Sequence, residues 1–306
     1  ELKENIELFN MIIEEIQEGE NNESMALYNN VMEKLVDMEE KFDNMRINSV
    51  MNEEEDENGC YLQIFAGAGG KDATEWVSIL KDMYQRWASQ NGYDVHEESI
   101  TPASESSYDL SVLKQVTLSI EGGDKAYGWL KFESGVHRLV RISPFNKDRK
   151  RHTSFAEVFV YPKSEEVEQN PIPMSELAIE TTTSQGPGGQ NVNRVHSCVR
   201  ITHIPTGIKV RVQQSRHQYE NRKTALNLIN ARVRALEAAN ADNNQSGRSK
   251  HIAFGNHIRS YVLDPYLLVS DVRSQVKDSK AEAILNGSEL QSFMRKNILY
   301  FADQTS

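Results

Sequence analysis

The chain is 306 residues long, 38% hydrophobic and 26% charged, which leaves room for two or three globular domains. No run of about 18 apolar residues occurs, so a helical membrane span is excluded. Its two cysteines, Cys60 and Cys198, lack CxxC spacing and histidine company, which argues against a zinc site and for a reducing compartment.

The net charge of −11 conceals a division. Residues 1–58 hold 18 Asp and Glu against 4 Lys and Arg, whereas residues 173–256 hold 11 basic against 5 acidic side chains. An acidic front and a basic rear suit different partners, and the basic part suits RNA.

Residues 1–50 read as helix. Leu8, Ile12 and Ile16, then Met25, Tyr28, Met32, Leu35, Met38 and Phe42, recur at three- and four-residue spacing, with a break between antiparallel helices at Gly19 to Ser24. Asn52 to Gly59 reads as an acidic linker. Tyr61 to Phe65 alternates as a strand, followed by the loop Ala66-Gly67-Ala68-Gly69-Gly70. The next helix lines up Trp76, Val77, Leu80, Met83, Tyr84 and Trp87 on one face, and Asp72 and Glu75 have the spacing of an N-cap and its N3 partner. Strands are predicted near Val112 to Ile120 and Trp129 to Glu133. Arg141 then opens a basic loop that ends in a strand from Phe155 to Tyr161, completing an α/β domain over 52–172.

Asn170-Pro171-Ile172-Pro173 marks a boundary, because prolines remove donors and favour extended chain. The domain from 173 to 254 holds a hairpin, His196 to Gln213, turning at Pro205-Thr206-Gly207. Its long helix runs from Tyr219 to about Asn240 and is expected to bury Leu226, Ile229, Val233 and Leu236. The final segment, 255–306, reads as a strand at Ile258 to Leu263 and a helix around Ser288 to Phe301. The fold class is multidomain α+β: an acidic helical region over 1–51, the α/β domain, an inserted α/β domain, and a last segment returning to the α/β domain.

Three motifs carry chemistry. In Ser184-Gln185-Gly186-Pro187-Gly188-Gly189-Gln190-Asn191-Val192-Asn193, adjacent glycines allow φ > 0 and close approach of a backbone to a partner. Gln190 adds an amide that donates and accepts but does not titrate. A hydrolase built on such a tip works through positioned dipoles and a placed water, which suits an active centre made mostly of RNA. The second motif is Ser143-Pro144-Phe145 with His152 and Thr153 in a basic loop, a combination that suits unstacked RNA bases. The third is Gly67-Ala68-Gly69-Gly70-Lys71-Asp72. No Ser or Thr follows its lysine, so a P-loop is disfavoured. Its N–H groups at a helix start are suited instead to a base carbonyl. Arg194, Arg200, Lys209, Arg211, Arg216, Arg222 and Lys223 form a basic scatter fit for phosphates, with Lys209 and Arg211 sharing one hairpin face.

Gly186 to Gln213, and Val199 to Gly207 above all, resemble the peptidyl-tRNA hydrolysing domain of the bacterial-type class I peptide chain release factors. The Ser-Pro-Phe loop is similar to the codon-reading loop of the release factor 2 branch; the release factor 1 branch carries a Pro-x-Thr tripeptide. The resemblance implies that Gly188, Gly189 and Gln190 support ester hydrolysis shared with ribosomal RNA, and that Gln190 is an N5-methylation target. It implies that Ser143 reads the second base of UGA or UAA, that His152 stacks beside it, and that Thr153 contacts the third base. Gly69 and Asp72 match the helix tip that reads the first base, where the family usually has Glu in place of Asp72.

Further implied are a ribosomal partner (ribosomal RNA, a stop codon and peptidyl-tRNA), a glutamine methyltransferase and a class II release factor GTPase. No cofactor, metal or membrane is implied. A monomer off the ribosome is expected, in bacterial cytoplasm or an organelle of bacterial descent. The helical region at 1–51 is shorter than is usual in the family, which suggests trimming.

Pro187, Asn191 and the run Arg194 to Cys198 depart from the common form. Gly-Pro-Gly-Gly-Gln-Asn-Val-Asn is nearer that of codon-independent ribosome rescue hydrolases. A rescue hydrolase and a non-catalytic RNA-binding paralogue therefore stand as alternatives.

Overall fold

A computed structural model describes residues 22–103, 112–163, 172–183, 196–246 and 257–305. They divide between two compact units, one of residues 1–52 with 298–306 and one of residues 53–297.

In the first unit, helix α1 (Asn22–Val50) buries Ile47, and Met51 lies buried just after it. Arg46 ties this helix to the chain end by pairing with Asp303, and it also pairs with Asp43 of the same helix at 3.1 Å.

The second unit is built on an eight-stranded sheet and a three-stranded sheet. Strand β1 (Cys60–Ala66) leads into helix α2 (Lys71–Gln90), and strands β2 (Asp94–Pro102) and β3 (Leu113–Glu121) follow. Helix α3 (Ala126–Leu130) and a 3-10 turn at Lys131–Glu133 precede the hairpin of β4 (Gly135–Ile142) and β5 (Arg151–Pro162). The chain next forms β6 (Leu177–Thr182), β7 (Cys198–His203), β8 (Lys209–Val212) and helix α4 (Gln218–Ser246). It returns as β9 (His257–Val262), β10 (Leu268–Asp271), β11 (Lys277–Asp278), helix α5 (Ala281–Leu285) and the start of helix α6 (Leu290–Thr305), whose residues from 298 onward belong to the first unit.

The large sheet runs β11-β10-β9-β4-β5-β1-β3-β2, with β9 parallel to β4 and every other pairing antiparallel. Everything from β6 to α4 is thus an excursion between two strands of this sheet, β5 and β9.

The two-residue period of a strand explains how the sheet is covered on both faces. Cys60, Leu62 and Ile64 of β1, with Ala156, Val158 and Val160 of β5, share a core with Trp76, Val77, Leu80, Met83, Tyr84 and Trp87 of α2. The alternate residues Tyr61 and Tyr161 join Leu177, Val199, Ile201, Val210 and Val212 of the small sheet, together with Ala225, Leu228, Ile229 and Val233 of α4. Between them Arg232 of α4 lies over the rings of Phe65 and Phe159, at 4.9 and 5.7 Å. The C-terminal segment shares the first core through Tyr261, Ala281, Ile284, Leu290 and Phe293, with the Trp76 and Tyr261 rings edge to face at 5.0 Å.

Four sequence expectations are corrected. Trp129 to Glu133 is not a strand: Lys125 takes the left-handed conformation (φ 57) and starts a helical turn that buries Ala126, Gly128 and Leu130, followed by a 3-10 turn that buries Glu133. Asn52 to Gly59 is no mere linker, because Glu54–Glu57 forms a 3-10 turn whose buried Asp56 pairs with Lys131 at 2.7 Å. Asp72 is not an N-cap, since Gly70 (φ 60) occupies that place and helical geometry begins at Lys71. Leu236 is 40% exposed, while Ala225 and Leu228 are buried. The strands under α4 span 4–6 residues and the helix 29, about 20 against 43 Å, so its later turns run past the small sheet.

Candidate functional site

The glycine loop before α2 owes its path to β5. Gly67 N donates to Phe155 O at 2.8 Å and Phe155 N donates to Ala68 O at 2.9 Å, so the loop is laced to that strand's edge. Gly69 has φ +131, and a Cβ there would stand 3.0 Å from Ser154 Cα, so a side chain is barred twice over. Gly70 then turns the chain into α2, and Gly69, Gly70 and Lys71 stay exposed at the helix start. First-turn N–H groups lack intrahelical acceptors, which leaves donors for an outside carbonyl or anion.

Asp72, in the first turn of α2, is the hub of the site. Its side chain is 7% exposed. Oδ2 receives the Ser143 hydroxyl at 2.8 Å and His152 Nδ1 at 3.1 Å, and Oδ1 stands 3.5 Å from the Arg141 guanidinium. Arg141 also pairs with Glu75, one turn along the same helix. Arg141 and His152 lie directly opposite each other in the β4–β5 ladder, so both reach the one carboxylate from the strand pair. Helix tip, loop and strand meet at this point, joining residues 71 and 80 positions apart in the chain.

Asn146 settles the His152 tautomer. Its Oδ1 accepts from Asp148 N at 2.9 Å, which turns Nδ2 toward His152 Nε2 at 3.0 Å. An amide nitrogen only donates, so Nε2 accepts and the ring hydrogen sits on Nδ1, facing Asp72. The Ser143 hydroxyl is doubly engaged: it donates to Asp72 and accepts from Phe145 N at 3.2 Å. Ser143 itself is 2% exposed. Pro144 is exposed and Phe145 is 40% exposed, with Lys71 Nζ 4.6 Å from its ring centroid. Thr153 is exposed on the opposite face of β5 from His152 by the strand period. Lys147, Arg149, Lys150 and Arg151 form an exposed basic rim.

The codon-motif residues Gly69, Asp72, Ser143, Pro144, Phe145 and His152 therefore come together in one place, whereas Thr153 faces the other side of β5. Arg141, Glu75 and Lys71 belong with them; the sequence reading places Lys71 in the glycine motif, Glu75 beside a helix cap and Arg141 at the start of the basic loop, but gives none of them a role at this cluster. An acidic pair in a helical first turn is a signal, but its partner lies across the fold. Gly188, Gly189, Gln190 and Arg194 lie outside the described residues.

The basic scatter is split rather than gathered. Arg200 and Arg211 are paired across β7 and β8, and Thr202 pairs with Lys209, so these three basic residues occupy the sheet face turned away from α4. Arg200 is held 3.6 Å from Glu180, and Arg211 is anchored to Cys198 Sγ at 3.2 Å and Gln213 Oε1 at 3.3 Å. Arg222 and Lys223 are exposed on α4, on the other side of that sheet, and Arg216 lies exposed before the helix. Among the described residues no group of three His, Cys, Asp or Glu could hold a metal ion, and no helix is long and apolar enough to cross a membrane.

Comparison with known proteins matches this architecture along its length. The PCRF domain model matches residues 1–158 and the RF-1 domain model matches residues 165–273. Peptide chain release factor 2 of Petrotoga mobilis is 40% identical over 98% of this chain and 82% of its own length. That of Thermotoga maritima is 39% identical over 93% and 76%. The solved structure of RF2 of Thermus thermophilus superposes with a TM-score of 0.75 at 32% identity, covering 99% of this chain and 86% of that one. The chain belongs to the peptide chain release factor family, in its release factor 2 branch.

Proposed function

We propose that this translation termination factor reads UGA and UAA in the ribosomal A site and triggers hydrolysis of the peptidyl-tRNA ester. The observation that carries the decoding half is the Asp72 carboxylate, which gathers the helix tip, Ser143 and His152. Exposed amides at Gly69 to Lys71 face the first base, Ser143 meets the second, His152 packs beside it, and Thr153 faces the third from the other side of β5. Because Ser143 is 2% exposed in the free chain, codon binding uncovers its hydroxyl.

Hydrolysis falls to the tip. A water oxygen attacks the ester carbonyl, the bond to the tRNA ribose breaks, and the products are a free peptide carboxyl and a tRNA hydroxyl. The Gln190 backbone N–H stabilises charge developing on oxygen, while Gly188 and Gly189 allow the backbone to approach. Ribosomal RNA supplies the rest of the centre. A glutamine methyltransferase acting on Gln190 and a class II release factor GTPase are further proposed partners. The proposed setting is bacterial cytoplasm, with a monomer off the ribosome.

Release of formyl-methionine from ribosomes programmed with UAA, UGA, UAG or a sense codon tests the proposal. Release on UAA and UGA alone is the expected outcome. Equal release on all four would identify a rescue hydrolase, and none would identify an RNA-binding paralogue.

A further inference from the structure

Helix α4 opens with an exception to its own pattern. Asn221, Ala225 and Leu228 recur at four- and three-residue spacing and all are buried, so an amide holds the first slot of an apolar stripe. Burying an amide is unfavourable unless its groups are hydrogen-bonded. Here both hydrogens and the oxygen are engaged. Nδ2 donates to Ser197 O at 2.8 Å and to Ser215 O at 2.7 Å, and Oδ1 accepts from Ser215 N at 2.8 Å. Two carbonyls on one side and an N–H on the other fix which way the amide faces.

The β6–β7 ladder ends at the pair Thr182 and Cys198, and the segment carrying Gly188, Gly189 and Gln190 connects these two residues. Ser197, itself buried, comes just before that last pair and seven residues after Gln190. Its neighbour is held as well, because Cys198 Sγ accepts from Arg211 Nε at 3.2 Å. The trailing stem of the tip is thus tied to α4 through Ser197 and to β8 through Cys198.

We infer that Asn221 is a positioning residue for peptidyl-tRNA hydrolysis, holding this stem at a fixed distance from α4 so that the Gln190 N–H is aimed at the reacting oxygen. The inference rests on the reading that the tip carries the chemistry. Donors that stabilise a transition state have to be in place before reaction, and a misplacement of about 1 Å is enough to cost about 10²-fold in rate. The amide touches no substrate; its effect passes along the main chain from Ser197 to Gln190.

The test compares single-turnover release on UAA and UGA, over a range of factor concentrations, for the parent, Asn221→Asp, Asn230→Ala and Gly189→Ala chains. Asn221→Asp keeps the shape and the acceptor for Ser215 N but sets an oxygen against two carbonyls. It is expected to lower kcat about 10²-fold on both codons, with the factor concentration at half-maximal rate unchanged. Asn230 controls for a purely structural role. It is buried on the same helix, and its Oδ1 accepts from Ile172 N at 3.1 Å, at the entry to the inserted domain. Asn230→Ala is expected to lower the thermal midpoint as Asn221→Asp does, yet to leave kcat at the parent value. An Asn221→Asp chain with the parent's kcat, or an Asn230→Ala chain that loses as much, overturns the inference. A Gly189→Ala chain that releases at the parent rate would instead sink the reading of the tip.

Should Asn221→Asp fail to fold, Asn221→Ala removes the tie without adding a charge and carries the same comparison. A loss of kcat of about tenfold is expected from it, and the parent's kcat overturns the inference.

Discussion

Arg259 and Glu133 form a bidentate ion pair, with side chains 0% and 1% exposed. The pair links β9 to the turn before β4, and so fastens the returning C-terminal segment into the large sheet. Tyr84 donates to the same carboxylate at 2.9 Å, and Asp271, itself paired with Arg273 at 2.7 Å, stands 3.5 Å from the guanidinium. Removing one partner strands a desolvated charge, so Arg259→Leu is expected to cost about 3–5 kcal/mol in urea unfolding. Glu133→Leu combined with Arg259→Leu is expected to recover part of that loss. A double variant as unstable as the sum of the singles would show that packing around the pair, not its charge, sets the cost.

His137 lies beside this network, 0% exposed, with Nε2 bonded to the Glu133 carbonyl at 2.9 Å. Burial, reinforced by the nearby Arg259 charge, lowers its pKa to about 4 from an ordinary 6.5. The unfolded chain therefore takes up a proton near pH 6.5 that the folded chain refuses until about pH 4. Stability from this group is complete above pH 6.5 and declines as pH falls through that window, by at most about 3 kcal/mol. Carboxylates titrate over the same range, so the measured quantity is the difference from His137→Gln. The parent's urea midpoint is expected to drop more steeply than the variant's between pH 6.5 and 4, and parallel curves would refute the assignment.

Much of this architecture is legible from periodicity. The face of α2 from Trp76 to Trp87 is buried as its spacing predicts, and the β7–β8 hairpin turns at Gly207 with φ +71. What local pattern could not reveal has physical causes. Strand β2 is charged along Asp94 to Glu98 because it is an edge strand with half-exposed side chains, and so lacks an apolar signature. Trp129 to Glu133 alternates like a strand, yet its fate depends on the left-handed turn at Lys125 and on a buried role for Glu133. The codon-motif residues were all visible as types, but their hub was not. That Asp72 serves Ser143 and His152 rather than the helix start follows from long-range packing and from Gly70 taking the cap position.

The split of the basic residues separates two kinds of arginine and lysine. Lys209 is exposed on the outer face of the small sheet, whereas Arg211 is anchored to Cys198 and Gln213, and its carbonyl accepts from Ser99 at 2.6 Å. Lys209→Ala is expected to weaken ribosome binding on every codon alike and lower the log–log salt slope by about 1, with thermal stability unchanged. Arg211→Ala is expected to lower thermal stability as well. Filter binding across a salt series, alongside thermal melts, distinguishes them; identical effects of the two substitutions would show that anchoring of Arg211 has no consequence.

The tip motif is separable from the decoding cluster in its chemistry, and a substitution there should show that separation. A methyl group at Gly189 restricts the backbone next to Gln190 and displaces its N–H from the oxygen it is proposed to stabilise. Losing one such donor typically lowers the rate by about 10²–10³, so Gly189→Ala is expected to slow release by that factor on UAA and UGA equally. Codon-dependent binding to the ribosome should persist, because Asp72, Ser143 and His152 are untouched. Single-turnover release and equilibrium binding, measured on the same programmed ribosomes, resolve the two steps. A Gly189→Ala chain that releases at the parent rate would remove the tip from the chemistry, and one that fails to bind would make the glycine a docking element instead.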